Sequence, residues 1–315
     1  MTLDFYLNLL AQVLFPMGLL IAAGAIWRTR LDTAGIRAVR GYITTVTINL
    51  FAPALLFAAA ATAQIDTNIL SVPLLVACSM LVTGLPLYIL LFRTRFGGTC
   101  SQAAKAGLLL CGIFGNVLFM GYPLLVHLYG DAGGQYAAFA DMAATTPLLW
   151  TAGVWIAVRL GGQTTDAGHP LKQLFSLPPL WAFAAGVLAV QLPIDHQPLV
   201  NAAHFIGQPT VPVMLLMLGL SIPWNRLKPS KPVLMVVGFK LLLMPLAAFV
   251  LALMLFPELT DAQRGAVLEA GVPTMLMAVG IADRYKLDVE RVALTVAWGT
   301  VLFLLSLPVW LIMLG

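Results

Sequence analysis

Long apolar stretches, each bounded by a few charged or turn-forming residues, run the length of the chain. Seven carry no Asp, Glu, Lys or Arg: 5–27, 41–65, 67–92, 106–130, 173–194, 197–225 and 292–315. Three more, 132–158, 232–257 and 265–282, carry one charge each, namely Asp141, Lys240 and Glu269. Each is close to the ~20 residues that a helix rising about 1.5 Å per residue needs to cross a hydrocarbon core of ~30 Å. Inside lipid every backbone N–H and C=O must find a partner within the segment, which selects the helix. The pattern predicts an all-α transmembrane fold of ten spans.

Composition sharpens this. Only 10% of residues are charged, against about 25% in soluble domains. The basic residues alternate between the connecting loops. One set holds Arg28, Arg30, Arg37 and Arg40; Arg93, Arg95 and Lys105; Arg159 and Lys172; Arg226, Lys228 and Lys231; and Arg284, Lys286 and Arg291. That is 15 of the 17 Lys and Arg, leaving Arg264 opposite and Lys240 within a span. The positive-inside rule makes the first set cytoplasmic, so both termini are expected to be periplasmic in a bacterial inner membrane. The net charge of +4 is then a topology signal, and no nucleic-acid partner is expected. Asp4 precedes the first span and Arg28 and Arg30 follow it, the reverse of a signal peptide, so this helix is expected to be retained. Cys78, Cys100 and Cys111 fall in spans or a cytoplasmic loop and are expected as free thiols.

The ten spans divide into two fives. Shifting the chain by 156 places Gly115 on Gly271 and Tyr129 on Tyr285, with Asp131 falling beside Asp288; Pro53 in the second span and Pro212 in the seventh occupy matching places. Span 1 starts outside and span 6 inside, so the halves are expected to be inverted, joined by the polar linker 161–175 with Gly161, Gly162, Asp166, Gly168 and Pro170. Inverted repeats of this kind point to alternating access. Spans 4 and 9 are interrupted near the midplane, by Gly115 and Asn116 and by Gly271 and Pro273. Glycine weakens a helix, and proline removes an N–H and clashes with the preceding turn. Broken helices at that depth offer half-helix N-termini to anions and bare carbonyls to cations.

Span 4 reads Asn116-Val-Leu-Phe-Met-Gly-Tyr-Pro-Leu-Leu125 and continues to Tyr129-Gly130. This resembles the Asn-x-x-x-Met-Gly-x-Pro-Leu-Leu…Tyr-Gly signature of the auxin efflux carrier family, which includes plant PIN-FORMED and bacterial organic-acid carriers. Pro273 through Ala282 to Tyr285, then Ala293 and Pro308, resemble that family's last two helices, with weaker echoes at Phe51–Leu56 and Leu218–Leu220. The resemblance implies a fold similar to sodium–proton antiporters and bile-acid symporters, with broken helices 4 and 9 crossing. It implies scaffold helices over 1–62 and 176–225 and a moving transport domain over 63–160 and 226–315. Carried over by motif, Gly115 and Asn116 and the Pro273 region (Gly271, Val272, Pro273 and Thr274) would line the substrate site. Gly115 stands where the plant carriers have proline, which implies a softer break, and their long cytoplasmic loop is absent, which removes any reason to prefer auxin.

A charge in a span costs roughly 2.5–3.5 kcal/mol on insertion scales, so each needs a reason. Bile-acid symporters use an acid near this crossing for sodium, which the resemblance carries to Glu269; a structural cap or ion pair near the outer interface is the alternative. Asp141 is the second coupling candidate. Lys240 is read as snorkelling to the cytoplasmic interface, pairing with Asp141, or attracting an anionic substrate. His127 and His204 are expected to be polar packing residues, and Thr145, Thr146 and Asn49 are candidates for hydrogen bonds at the site. No metal-ligand spacing, nucleotide loop or nucleophile motif occurs, so neither an enzyme nor a metal or organic cofactor is expected, only H⁺ or Na⁺ as coupling ion. The expected partners are a small-molecule substrate and the lipid bilayer, with a homodimer through the scaffold helices as an option. The reading is a secondary transporter of small organic anions working by an elevator mechanism; the alternatives are a coupled carrier of another substrate class and a membrane sensor.

Overall fold

The computed structural model describes residues 3–98, 100–162, 169–193, 195–224 and 227–315; Arg226 of the basic loops and Asp166 and Gly168 of the linker lie outside them. Helices begin where the sequence supplies a cap. Asp32 accepts from the Gly35 N–H (2.7 Å), Asp66 from Ile69 (2.9 Å), Ser101 from Ala104 (3.1 Å) and Asp288 from Arg291 (3.0 Å). Thr260 and Gln263 form a reciprocal capping box. Each satisfies N–H groups that the first helical turn leaves open.

In chain order the helices are α1 Asp4–Arg28, α2 Thr33–Ala61, α3 Thr67–Phe92, α4 Gln102–Ile113, α5 Val117–Tyr129, α6 131–160, α7 Pro170–Phe175, α8 Pro178–Ala189, α9 Gln197–Ser221, α10 Lys231–Leu255, α11 Asp261–Ala270, α12 Met277–Arg284 and α13 Val289–Leu314. Six of them (α1, α2, α3, α9, α10 and α13) are long and apolar enough to cross a membrane. The chain is all-helical; among the described residues the only β pairing is one isolated bridge.

Two expected boundaries move. The second span starts at Thr33 rather than 41, because a helix capped by Asp32 carries Arg37 and Arg40 on its first turns; an absence of charge measures depth in lipid, not helix length. The sixth starts at Pro178 rather than 173. Pro178 and Pro179 open a fresh helix, Leu177 before them is extended (φ −83°, ψ 114°), as a residue preceding proline prefers, and 170–175 folds as the separate short α7.

Several helices widen locally into π turns. Those at Leu10–Leu14, Thr47–Phe51, Val117–Gly121, Asp141–Thr145 and Phe239–Leu243 each end two residues before a proline: Pro16, Pro53, Pro123, Pro147 and Pro245. Proline's ring collides with the carbonyl four residues back, and a widened turn moves that carbonyl aside.

The helices pack in two groups. In the first, α1 lies on α9 and α2 on α8 and α9. Gly24 sits against the Leu216 carbonyl and Leu220 amide, and Gly186 against the Phe57 carbonyl and Ala61 amide; small residues let helix backbones touch in a membrane. In the second, α3 packs on α4, α10 and α11, and α13 packs on α4 and α10.

Candidate substrate site

The two interrupted segments meet. α4 ends at Ile113 and Phe114 turns extended (φ −97°, ψ 120°), while Asn116 (φ −86°, ψ 58°) leads into α5. α11 ends at Ala270, and 271–276 cross as irregular chain before α12. Gly115 and Thr274 form an antiparallel bridge, with the Asn116 N–H donating to the Pro273 carbonyl (2.7 Å) and the Met275 N–H to the Phe114 carbonyl (3.1 Å). Backbone groups freed by one break are thus satisfied by the other, as lipid requires. The break at Gly115 is complete rather than softer, since cross-chain pairing holds the backbone extended without a proline.

The carbonyls left at the ends of α4 and α11 receive side-chain donors. The Thr274 hydroxyl donates to the Cys111 carbonyl (2.8 Å), and the Lys240 ammonium to the Ala270 carbonyl (2.6 Å). In the bridge Gly115 is the partner of Thr274 but has no side chain to reach Ala270. A Cβ on Gly115 would lie 2.9 Å from the Lys240 Nζ, so the lysine fills the space a side chain there would take. Lys240 does not snorkel: it is 1% exposed, because its head is spent on a helix C-terminus, where a cation is favoured.

The resuming helices carry no side-chain caps at Asn116 or Leu276. Asn116, Val117, Met275 and Met277 from these two starts line a cavity of about 100 Å³, together with residues of α2, α6 and α8. Asp141, Thr145 and Thr146 line it from α6. Thr146 donates to the Asp141 carboxylate (3.1 Å) and Thr145 to the Ala140 carbonyl (3.1 Å). Thr47 of α2 also lines it; it is 0% exposed, and its hydroxyl has no hydrogen-bond partner among the described residues. Sequence reasoning passed over Thr47, which has no marker beyond standing six residues before Pro53, and chose Asn49. Asn49 is exposed and donates to the Thr45 carbonyl (2.7 Å), away from the cavity. Of the six substrate residues read from the sequence, Gly115 and Asn116 border the cavity, while Gly271, Val272, Pro273 and Thr274 build the crossing beside it.

Glu269 lies outside that cavity, 1% exposed, with neither carboxylate oxygen hydrogen-bonded among the described residues. Its carboxylate occupies the space a side chain on Gly121 would need, which gives the glycine of the Met-Gly-Tyr-Pro motif its reason. It caps no helix end among the described residues. Met277 also borders a larger cavity of about 790 Å³, lined by Arg28, Arg37 and Arg40. His127 and His204, read as packing residues, share another cavity of about 480 Å³ between α5, α1 and α9.

A family model described as membrane transport protein matches residues 37–165 and 168–311. The chain is 28% identical over 273 residues to an uncharacterized transporter of Methanothermobacter thermautotrophicus, covering 85% of this chain and 87% of that one. It is 25% identical over 256 residues to an uncharacterized transporter of Methanocaldococcus jannaschii, covering 76% and 78%.

Proposed function

This chain belongs to the membrane transport protein family, that of the auxin efflux carriers, and from that premise we propose that it is a secondary transporter of small organic anions. It is a multi-pass membrane protein, and its family and relatives are transporters rather than enzymes. The observation that carries the substrate class is the pair of helix starts without side-chain caps, at Asn116 and Leu276, whose Asn116, Met275 and Met277 border one cavity. Helix N-termini carry partial positive charge and free N–H donors, which suit a carboxylate.

In this reading α4 with α5, α6, α8, and α11 with α12 each make one span, which with the six long helices gives ten in an inverted five-plus-five repeat. The packing supports it. Gly24 meets Leu216 and Leu220, and Gly186 meets Phe57 and Ala61; Phe57 to Leu216 and Ala61 to Leu220 are the same offset, 159. The capped carbonyls Cys111 and Ala270 stand at that offset too, as do Pro53 and Pro212. A register of 159 aligns these pairs, beside 156 for Gly115 with Gly271 and 162 for Gly24 with Gly186. The first packing group corresponds to the scaffold (1–62 and 176–225), and the second to the transport domain (63–160 and 226–315), which moves as an elevator. The vestibule lined by Arg28, Arg37 and Arg40 opens to the cytoplasm of a bacterial inner membrane, with both termini periplasmic.

Glu269 is the proton-coupling residue. Lys240 already occupies the Ala270 carbonyl that would otherwise suit sodium, which favours H⁺. In proteoliposomes, Asn116→Ala should slow exchange of labelled organic acid by about tenfold, the worth of roughly 1.4 kcal/mol of lost binding. Glu269→Gln should abolish gradient-driven accumulation and spare exchange. An Asn116→Ala protein exchanging at the unaltered rate rules the site out.

A further inference from the structure

The cavity beside the crossing holds two features that a simple anion site does not need. One is the Asp141 carboxylate, which accepts a single hydrogen bond, from Thr146. The other is the Thr47 hydroxyl, fully buried and without a partner among the described residues. Both line the same space as Asn116. A buried hydroxyl left unpaired is unfavourable, and it is best tolerated where a ligand completes it. Thr47 donates and accepts, so it can serve a carboxylate. As a carboxylate Asp141 only accepts, and its lone pairs beyond the one taken by Thr146 call for a donor on the ligand, which would also hold the negative charge there.

From this juxtaposition we propose that the substrate is a small acid with one carboxylate and one hydrogen-bond donor, a hydroxyl or an ammonium, rather than a second carboxylate. This rests on the reading of the protein as an organic-anion transporter and narrows it. The carboxylate lies toward Asn116, Thr47 and the starts of α5 and α12; the donor lies toward Asp141. A dicarboxylate would offer the Asp141 carboxylate no donor and would set a second negative charge against it. The two sources of the donor, 2-hydroxy acids and amino acids, share this chemistry.

Full-length protein in proteoliposomes, assayed by exchange with labelled lactate, alanine, propionate and succinate, separates the possibilities. Lactate or alanine should be taken up with at least about tenfold higher kcat/KM than propionate, and succinate should be poorest; whichever of the first two leads identifies the donor. Asp141→Asn should erase the preference over propionate, because a carboxamide accepts more weakly and adds a donor of its own. Thr47→Val should raise KM severalfold without lowering the melting temperature, and Thr47→Ser should restore KM. A merely structural Thr47 would shift melting and leave KM alone. Succinate or propionate matching both lactate and alanine, with selectivity unchanged in Asp141→Asn, overturns this inference and leaves organic-anion transport standing. If none of the four acids exchanges, organic-anion transport itself falls.

Discussion

Gly121 and Glu269 meet as a vacancy and its occupant: the carboxylate fills the volume a methyl group on the glycine would take. Overpacking in a tight core costs about 1–3 kcal/mol. Gly121→Ala is therefore expected to lower the melting temperature of the detergent-purified protein, and adding Glu269→Ala should recover most of the loss. Additive penalties in this double-mutant cycle would show that the two residues do not touch. Single residues were unevenly legible in the sequence. Asn116, Asp141, Lys240 and Glu269 stand out because amides and charges are rare and costly in lipid. Thr47 does not, since a threonine in a span is as often a packing residue bonded to its own helix. Lys240 was visible as a charge but not as a cap, because that role follows from Gly115 facing Thr274 across the bridge, a contact between residues far apart in the chain.

At the level of helices, Thr67–Phe92 coincides with its charge-free run, since Asp66 caps its start and Arg93 follows its end. The start of α2 and the split before α8 were misjudged because hydropathy reports immersion in lipid, whereas caps and prolines set where a helix begins. The π turns were not foreseen at all, although their prolines were in view. They matter for the site: the Asp141–Thr145 turn precedes Pro147, and the Val117–Gly121 turn precedes Pro123. A widened turn carries an extra residue and rotates what precedes it relative to a regular helix by roughly 100°. Pro147→Ala frees α6 to close into regular helix and turn Asp141 away from the cavity. Transport should fall at least about tenfold while melting shifts by less than about 1 kcal/mol, since alanine is the best helix former. Full transport by this variant would mean that the turn does not orient Asp141.

Across the whole molecule arginine and lysine gather in one set of loops, and the vestibule lined by Arg28, Arg37 and Arg40 holds three of them. Pro257 and Lys228 are both exposed and lie in loops of opposite sets. In intact cells an impermeant thiol reagent should label Pro257→Cys from outside, and Lys228→Cys only after permeabilisation; the converse pattern inverts the topology. The bridge between Gly115 and Thr274 bears on how such a body can move. An interrupted helix is ordinarily a hinge, and two of them side by side suggest a site that flexes open by bending. The reciprocal bonds from Asn116 to Pro273 and from Met275 to Phe114 turn the pair of hinges into a rivet. Flexing either would strip backbone groups of partners where no water replaces them, at several kcal/mol each. In the proposed elevator cycle, motion is left to the seam between the two packing groups, where side chains slide without losing a backbone bond; the riveted crossing would then travel as one piece, while the cavity walls supplied by α2 and α8 would part from it.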